Sequence, residues 1–212
     1  MSYLIRSSKV ISALLLAFVI TGCATSQRMS SEDKARIKST QVSQSVEKGQ
    51  VFLLAPGGAA VGMMFGAVGG AVSGGMVVDA QTAFVNYLNQ NNISIEKLVQ
   101  QEFENALRAS GKLSIATSAD AGIPTIKLSV PQYGFGVTHL LSSNVVPVLQ
   151  MKADMVDDKG QTVWSASDRM LPSIASPMTA IAWAQIQNDP KEIEAQLRAA
   201  AKYLSNKLVQ SL

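Results

Sequence analysis

The side chains able to do chemistry are few. Among 212 residues there is one cysteine, Cys23, and one histidine, His139. Zinc and iron–sulfur sites of the ordinary kind need several Cys or His ligands, so those classes are excluded. His139 stands among loop-forming residues, where a lone imidazole reads as a surface or hydrogen-bonding group. Glu102 and Glu104 fall two apart on a predicted helix and face different directions, so they make no carboxylate dyad. Asp154, Asp157 and Asp158 bracket a predicted turn without the spacing of a calcium loop, and read as solvated. No G-x-S-x-G elbow nominates a serine. The glycine-rich stretch 57–78, GGAAVGMMFGAVGGAVSGGMVV, lacks both the Lys-Ser/Thr ending of a phosphate loop and a G-x-G-x-x-G. The expectation is a protein without metal, cofactor or enzymatic activity.

The surrounding elements are well marked. Hydrophobic residues make up 47% and charged residues 16%, a balance that excludes a disordered polyelectrolyte. Residues 24–50 are polar, rich in Ser, Gln and Lys, and read as a disordered or loosely helical tether. Residues 51–55 read as a short buried strand ended by Pro56 and Gly57. Asp79 opens a helix that closes at the Asn-Gln-Asn-Asn turn 89–92. Ser94 is placed to cap a second helix, whose stripe is Ile95, Leu98, Val99, Glu102, Phe103, Ala106 and Leu107; Gly111 ends it. Strands are predicted over 113–117, 125–130, 148–156 and 162–170, the last two joined by the turn 157–160. Residues 132–146 read as a loop and 172–187 as irregular. In the closing helix Asp189 is the N-cap, Pro190 takes N1 and Glu192 completes a capping box. The pattern predicts an α+β two-layer sandwich of a mostly antiparallel sheet packed by helices, with a Gly-rich helical insertion. Trp164 is expected in the core. Ile181, Trp183 and Ile186, in the irregular stretch, are candidates for a partner contact.

The first residues direct the chain elsewhere. Arg6 and Lys9 precede an apolar run over 10–20, followed by Thr21, Gly22 and Cys23. Such an n-region, h-region and small-residue cut site mark a secretory signal, and the run is too short to span a bilayer. Ile20-Thr21-Gly22-Cys23 resembles the lipobox of bacterial lipoproteins. That resemblance implies cleavage before Cys23, a diacylglyceryl thioether on its sulfur and an acylated amino group. Ala24 after the cysteine, in place of Asp, implies sorting to the outer membrane. The domains are then a signal peptide (1–22), an acylated Cys with its polar tether (23–50), and a periplasmic domain (51–212) carrying the insertion 57–78. Without the first 22 residues sixteen basic residues face fifteen acidic ones, so charge gives no argument for nucleic acid.

Two further segments carry a looser resemblance. ENALRASGKLSI (104–115) runs a helix through Ser-Gly-Lys into a strand, and MVDDKGQTVWSAS (155–167) turns at Asp-Lys-Gly and returns through a tryptophan. This order resembles the periplasmic α/β domains of penicillin-binding-protein activators, the curli-secretion lipoprotein and the N-terminal domain of the Tol translocation protein. The glycine insertion departs from that pattern.

Gly58, Gly62, Gly66, Gly70 and Gly74 recur every fourth residue, which on a helix is one face open to close packing. As a helix the stretch would be about 33 Å long, near the thickness of a hydrocarbon core. Water would charge such a helix roughly 6 to 8 kcal/mol for its glycines, whereas lipid enforces it. Three readings stand: a glycine zipper in the membrane or between helices, building a homo-oligomer; a bent helical pair on the domain's own surface; and a mobile loop. The sequence thus indicates an outer-membrane lipoprotein that binds or scaffolds an unidentified envelope partner. The alternative is a subunit of an oligomeric membrane or secretion assembly. Replacing Gly62, Gly66 and Gly70 by Leu should abolish any oligomer that depends on the stripe; cross-linking that gives the same species before and after removes the alternative.

Overall fold

The computed structural model describes residues 26–56, 80–116, 122–173 and 176–212. Cys23 and the whole stretch 57–79, with its five regularly spaced glycines, lie outside the described residues. Five helices are described: α1 (Ser31–Arg36), α2 (Ala80–Gln90), α3 (Ile95–Ser110), α4 (Trp183–Asn188) and α5 (Pro190–Gln210). The strands are β1 (Ser39–Leu54), β2 (Ser114–Ile115), β3 (Thr125–Val137), β4 (Asn144–Val156), β5 (Thr162–Met170) and β6 (Ile181–Ala182). They form one sheet in the order β2-β1-β3-β4-β5, with β6 pairing the start of β4 beyond the end of β5.

The fold is α+β, and the sheet is mixed. β3–β4 and β4–β5 are antiparallel, as their alternating residues require, but β1 runs parallel to both β2 and β3. A parallel partner cannot be reached by a hairpin; here the chain passes through α2 and α3 between β1 and β3. The sheet is thus mostly antiparallel, three of its five pairings being so, with β1 as the strand that brings in the parallel ones.

Two segments read as unstructured are strands. Residues 39–50, assigned above to the tether, are the larger part of the 16-residue β1. Their side chains are polar because the middle of β1 is exposed, while main-chain pairing to β3, interrupted by an irregularity between Val42 and Val46, supplies the order. Residues 26–50 thus belong to the fold, ahead of the boundary expected at 51. Residues 132–137, read as loop, continue β3, and 144–147 begin β4. Here burial is continuous, Tyr133 to Val137 and Val145 to Leu149; both faces are covered, so no alternation survives to betray a strand.

The helical layer follows its stripes. All seven stripe residues of α3 are buried. Ser94 Oγ accepts the Lys97 N–H at 3.2 Å, and Gly111 adopts φ 62°, the left-handed C′ geometry. Glu102 sits in the stripe because Arg198 of α5 reaches it at 3.0 Å while also holding Glu194 at 2.9 Å. In α5, Ile193, Leu197, Ala200, Ala201, Leu204 and Leu208 are buried. Asp189 caps it, accepting the Lys191 N–H at 2.9 Å. The capping box does not close: the Asp189 N–H is given to the Gln185 carbonyl of α4, and Glu192 takes Gln196 instead. Lys112 donates to the Val209 and Gln210 carbonyls, tying the end of α3 to the end of α5. Trp164 is fully buried on β5, and Phe84 of α2 meets Phe135 of β3 edge to face at 6.1 Å.

β1 and β3 approach closely at Gly134. Its φ is 143°, and a Cβ there would stand 1.9 Å from the Phe52 carbonyl oxygen. Gly160, in the β4–β5 turn, also has positive φ (77°) but open space around it. Gly134→Ala should therefore cost about 2–3 kcal/mol or more in urea unfolding, from backbone collision added to strain, and Gly160→Ala only about 1 kcal/mol. Equal losses would mean that contact between the strands is not the cause.

Candidate functional site

Of the residues singled out from sequence, two groups lie outside the described residues: the lipid-attachment candidate Cys23, and Gly58, Gly62, Gly66, Gly70 and Gly74. The proposed partner contact does not survive as a surface. Trp183 is 6% exposed and Ile186 fully buried, both in α4, and Ile181 is half-buried in β6. These apolar side chains fill the core beside the start of β4. His139 is exposed in the connection 138–143. Asp157 is a turn residue, accepting the Lys159 and Gln161 N–H groups, and Asp154 pairs with Lys152 and Ser165.

The structure assembles a hollow that the sequence did not reveal. Where α2 and the start of α3 cross β1 and β3, a depression of about 360 Å³ is lined by Lys48, Gly49, Val51, Gln81, Thr82 and Tyr133, with a smaller one beside it reaching Ser94 and Glu96. Gly49 faces Pro131 so closely that a Cβ would meet its carbonyl oxygen at 2.2 Å. Pro131 itself sits where the β3–β4 register shifts, between Ser129 and Gln132, the kind of position a strand proline requires.

The hollow's polar groups are engaged with one another. Lys48 Nζ meets Glu96 Oε1 at 2.7 Å, and the Ser94 hydroxyl donates to Glu96 Oε2 at 2.9 Å. Burial alone would raise the Glu96 carboxyl, but Lys48, its own backbone amide and Ser94 outweigh it and hold the group below its ordinary value. The hydrogen bond to Glu96 raises Lys48, against burial. Burial pushes the Tyr133 phenol up, so it stays neutral at physiological pH. An ammonium paired with its carboxylate stands beside a neutral phenol in the wall of the hollow. Nothing in the sequence spacing of Lys48, Glu96 and Tyr133 signals the site; only the β1–α2–α3–β3 crossover brings them together.

Among the described residues no helix is long and apolar enough to cross a membrane, and no group of three or more His, Cys, Asp or Glu is placed to hold a metal ion. No family model matches the chain, and no curated protein matches it. Solved structures do show likeness. The PelC dodecamer from Paraburkholderia phytofirmans is 18% identical, with TM-score 0.34, over 55% of this chain and 75% of that one. A single-substitution variant of that dodecamer is 14% identical, with TM-score 0.32, over 82% and 91%. Protein XCC0632 from Xanthomonas campestris is 13% identical, with TM-score 0.37, over 82% and 89%. At this level the likeness assigns no function.

The Lys48–Glu96 pair makes stability depend on pH at both ends. Glu96, lowered in the fold, contributes stability that is complete above the ordinary carboxylate range and is lost as pH falls through its folded value. Lys48, raised in the fold, contributes stability that is complete below the ordinary lysine range and is lost as pH rises through its folded value. Both side chains are about a third exposed, so the pair is worth about 0.5–1 kcal/mol. Glu96→Gln should lower the urea midpoint at neutral pH, with the difference from the wild type shrinking as pH falls through the folded value of Glu96 and as it rises through that of Lys48. A pH-independent difference would mean that packing, not charge, is lost.

Proposed function

We propose that the chain is an outer-membrane-anchored lipoprotein without enzymatic activity, whose α+β domain binds or scaffolds an envelope partner. The observation that carries this reading is the position of Cys23. It closes the Ile20-Thr21-Gly22-Cys23 motif behind a basic and an apolar segment, and it stands four residues before Gln27, which pairs with Ser165 of β5. Acyl chains on that cysteine would bury enough methylene groups for firm anchoring, where a single chain would be marginal. The link to the fold is then a few residues, not a long tether, and the domain works against the membrane surface at high effective concentration. The mutual engagement of Lys48, Glu96 and Ser94 supports binding over catalysis at the hollow.

The test is Cys23→Ser. The wild-type chain should fractionate with the outer membrane, and its N-terminal peptide should carry the mass of the acyl groups. The variant should lose both. A variant that stays in the membrane pellet, equally processed and equally abundant, overturns the reading.

A further inference from the structure

Charge is distributed along the strands very unevenly. No Asp, Glu, Lys or Arg occurs in residues 49–56, 80–95, 128–151 or 170–188. The register brings the three strand segments to one end of the domain, and α2 lies there too, with Phe84 on Phe135. Lys48 lies opposite Val130, Lys152 opposite Ser129, and Asp168 and Arg169 opposite Met151 and Gln150. Those four charges form a band across the sheet. Beyond it the strands run on for about 20 Å without a charge.

That end is tipped with exposed leucines. Leu140 is 83% and Leu141 94% exposed in the connection between β3 and β4. Leu54 (38%) ends β1 opposite Gly136, and Leu171 (45%) follows β5, next to Pro172, whose ring lies against Gly136. The leucine turn is built, not slack. The buried Ser142 hydroxyl receives Thr138 Oγ1 at 3.1 Å, donates to the Asn144 carbonyl at 2.9 Å and accepts the Asn144 N–H at 3.0 Å. Exposure of Leu140 and Leu141 is the cost of that fixed turn.

We infer that this charge-free end, tipped by Leu54, Leu140, Leu141 and Leu171, is a lipid-contacting surface that seats at the headgroup–acyl boundary of a bilayer. A protein partner would be met by a polar, charge-bearing rim around an apolar centre; here the strands that end in the leucines carry no charge for about 20 Å, and Asp189 is set back from Trp183 by the length of α4. The polar residues flanking Leu140 and Leu141, namely Thr138, His139, Ser142 and Ser143, suit the headgroup zone. The direction of the chain agrees. Gln27 and Ser165 exchange antiparallel hydrogen bonds of 2.8 and 2.9 Å, so Ser26 lies on the Met170 side of Gln27. Four residues of chain then separate Cys23 from Gln27, about 14 Å at full extension. The last step rests on the lipid attachment proposed above; the leucines and the missing charge do not.

The test uses the full-length chain expressed and processed in bacteria, with one new thiol at Leu141→Cys or, at the opposite end, Asp158→Cys. Each carries an environment-sensitive fluorophore and is added to vesicles of phosphatidylethanolamine and phosphatidylglycerol. The probe at 141 should shift to the blue and be quenched by lipid-borne nitroxides at least about threefold more than the probe at 158. Equal, water-like emission from both overturns the inference. A blue shift at 141 that needs no vesicles also overturns it, because a second protein copy then covers the leucines. Mass spectrometry of the N-terminal peptide reports acylation independently. Insertion at 141 in a chain without acyl groups supports this surface while refuting the anchor; acylation with a water-exposed 141 does the reverse.

Discussion

The parallel pairing of β1 with β3 is the constraint on which the rest of the molecule depends. It is made backbone to backbone: Gly134 admits the Phe52 carbonyl where any side chain would collide, and Gly49 admits that of Pro131. Parallel strands oblige the chain to cross over, and the crossover is α2 and α3. That crossover lays Phe84 on Phe135, carries Glu96 to Lys48 and presents the α3 stripe to α5. The hollow, the helical layer and the early start of the fold all follow from one pairing that needs glycine at two positions.

How much of this the sequence discloses depends on whether a segment announces itself by side chains or by backbone. α3 and α5 announce themselves: a stripe, an N-cap serine or aspartate, and a glycine or proline at the right end. The β4–β5 hairpin does too, through Leu149, Met151, Ala153 and Met155 alternating with polar partners. β1 does not, because its middle is exposed and polar, and its order comes from main-chain hydrogen bonds that leave no periodic trace. The second half of β3 fails for the opposite reason. Burial on both faces erases alternation, and Gly134 and Gly136, which the close packing demands, look like loop residues. Glu102 shows the intermediate case: an acid in an apolar stripe was visible, but its reason, Arg198 nearly a hundred residues away, was not.

The sites show the same division. Trp183 and Ile186 stood out as large apolar residues in a stretch without periodicity, and they are core because a short strand and a short helix, too brief to carry a pattern, turn them inward. Lys48, Glu96 and Tyr133 carry no motif at all. The uncharged stretches are visible one at a time in the sequence, yet each alone is unremarkable for a strand or helix. Only the register, Leu54 beside Gly136 and Gly136 beside Val146, sets them side by side at one end.

An acyl anchor by itself fixes a protein at a membrane without fixing its orientation, since a flexible link lets the domain tumble. On the proposed reading four residues of chain, not a tether of twenty-seven, separate the acylated cysteine from the Gln27 bridge. On the proposed reading the leucine tip supplies the second point of attachment. Each exposed leucine seated in lipid is worth about 1.5–3 kcal/mol at most, too little to hold the domain alone but enough to bias its pose once the anchor has paid the cost of association. The strands would then stand away from the membrane, with the acidic turn at Asp157 and Asp158 farthest out and the hollow around Lys48 at mid-height on the charged band. A partner approaching from solution would meet the charged half of the domain, and the uncharged half would stay with the lipid.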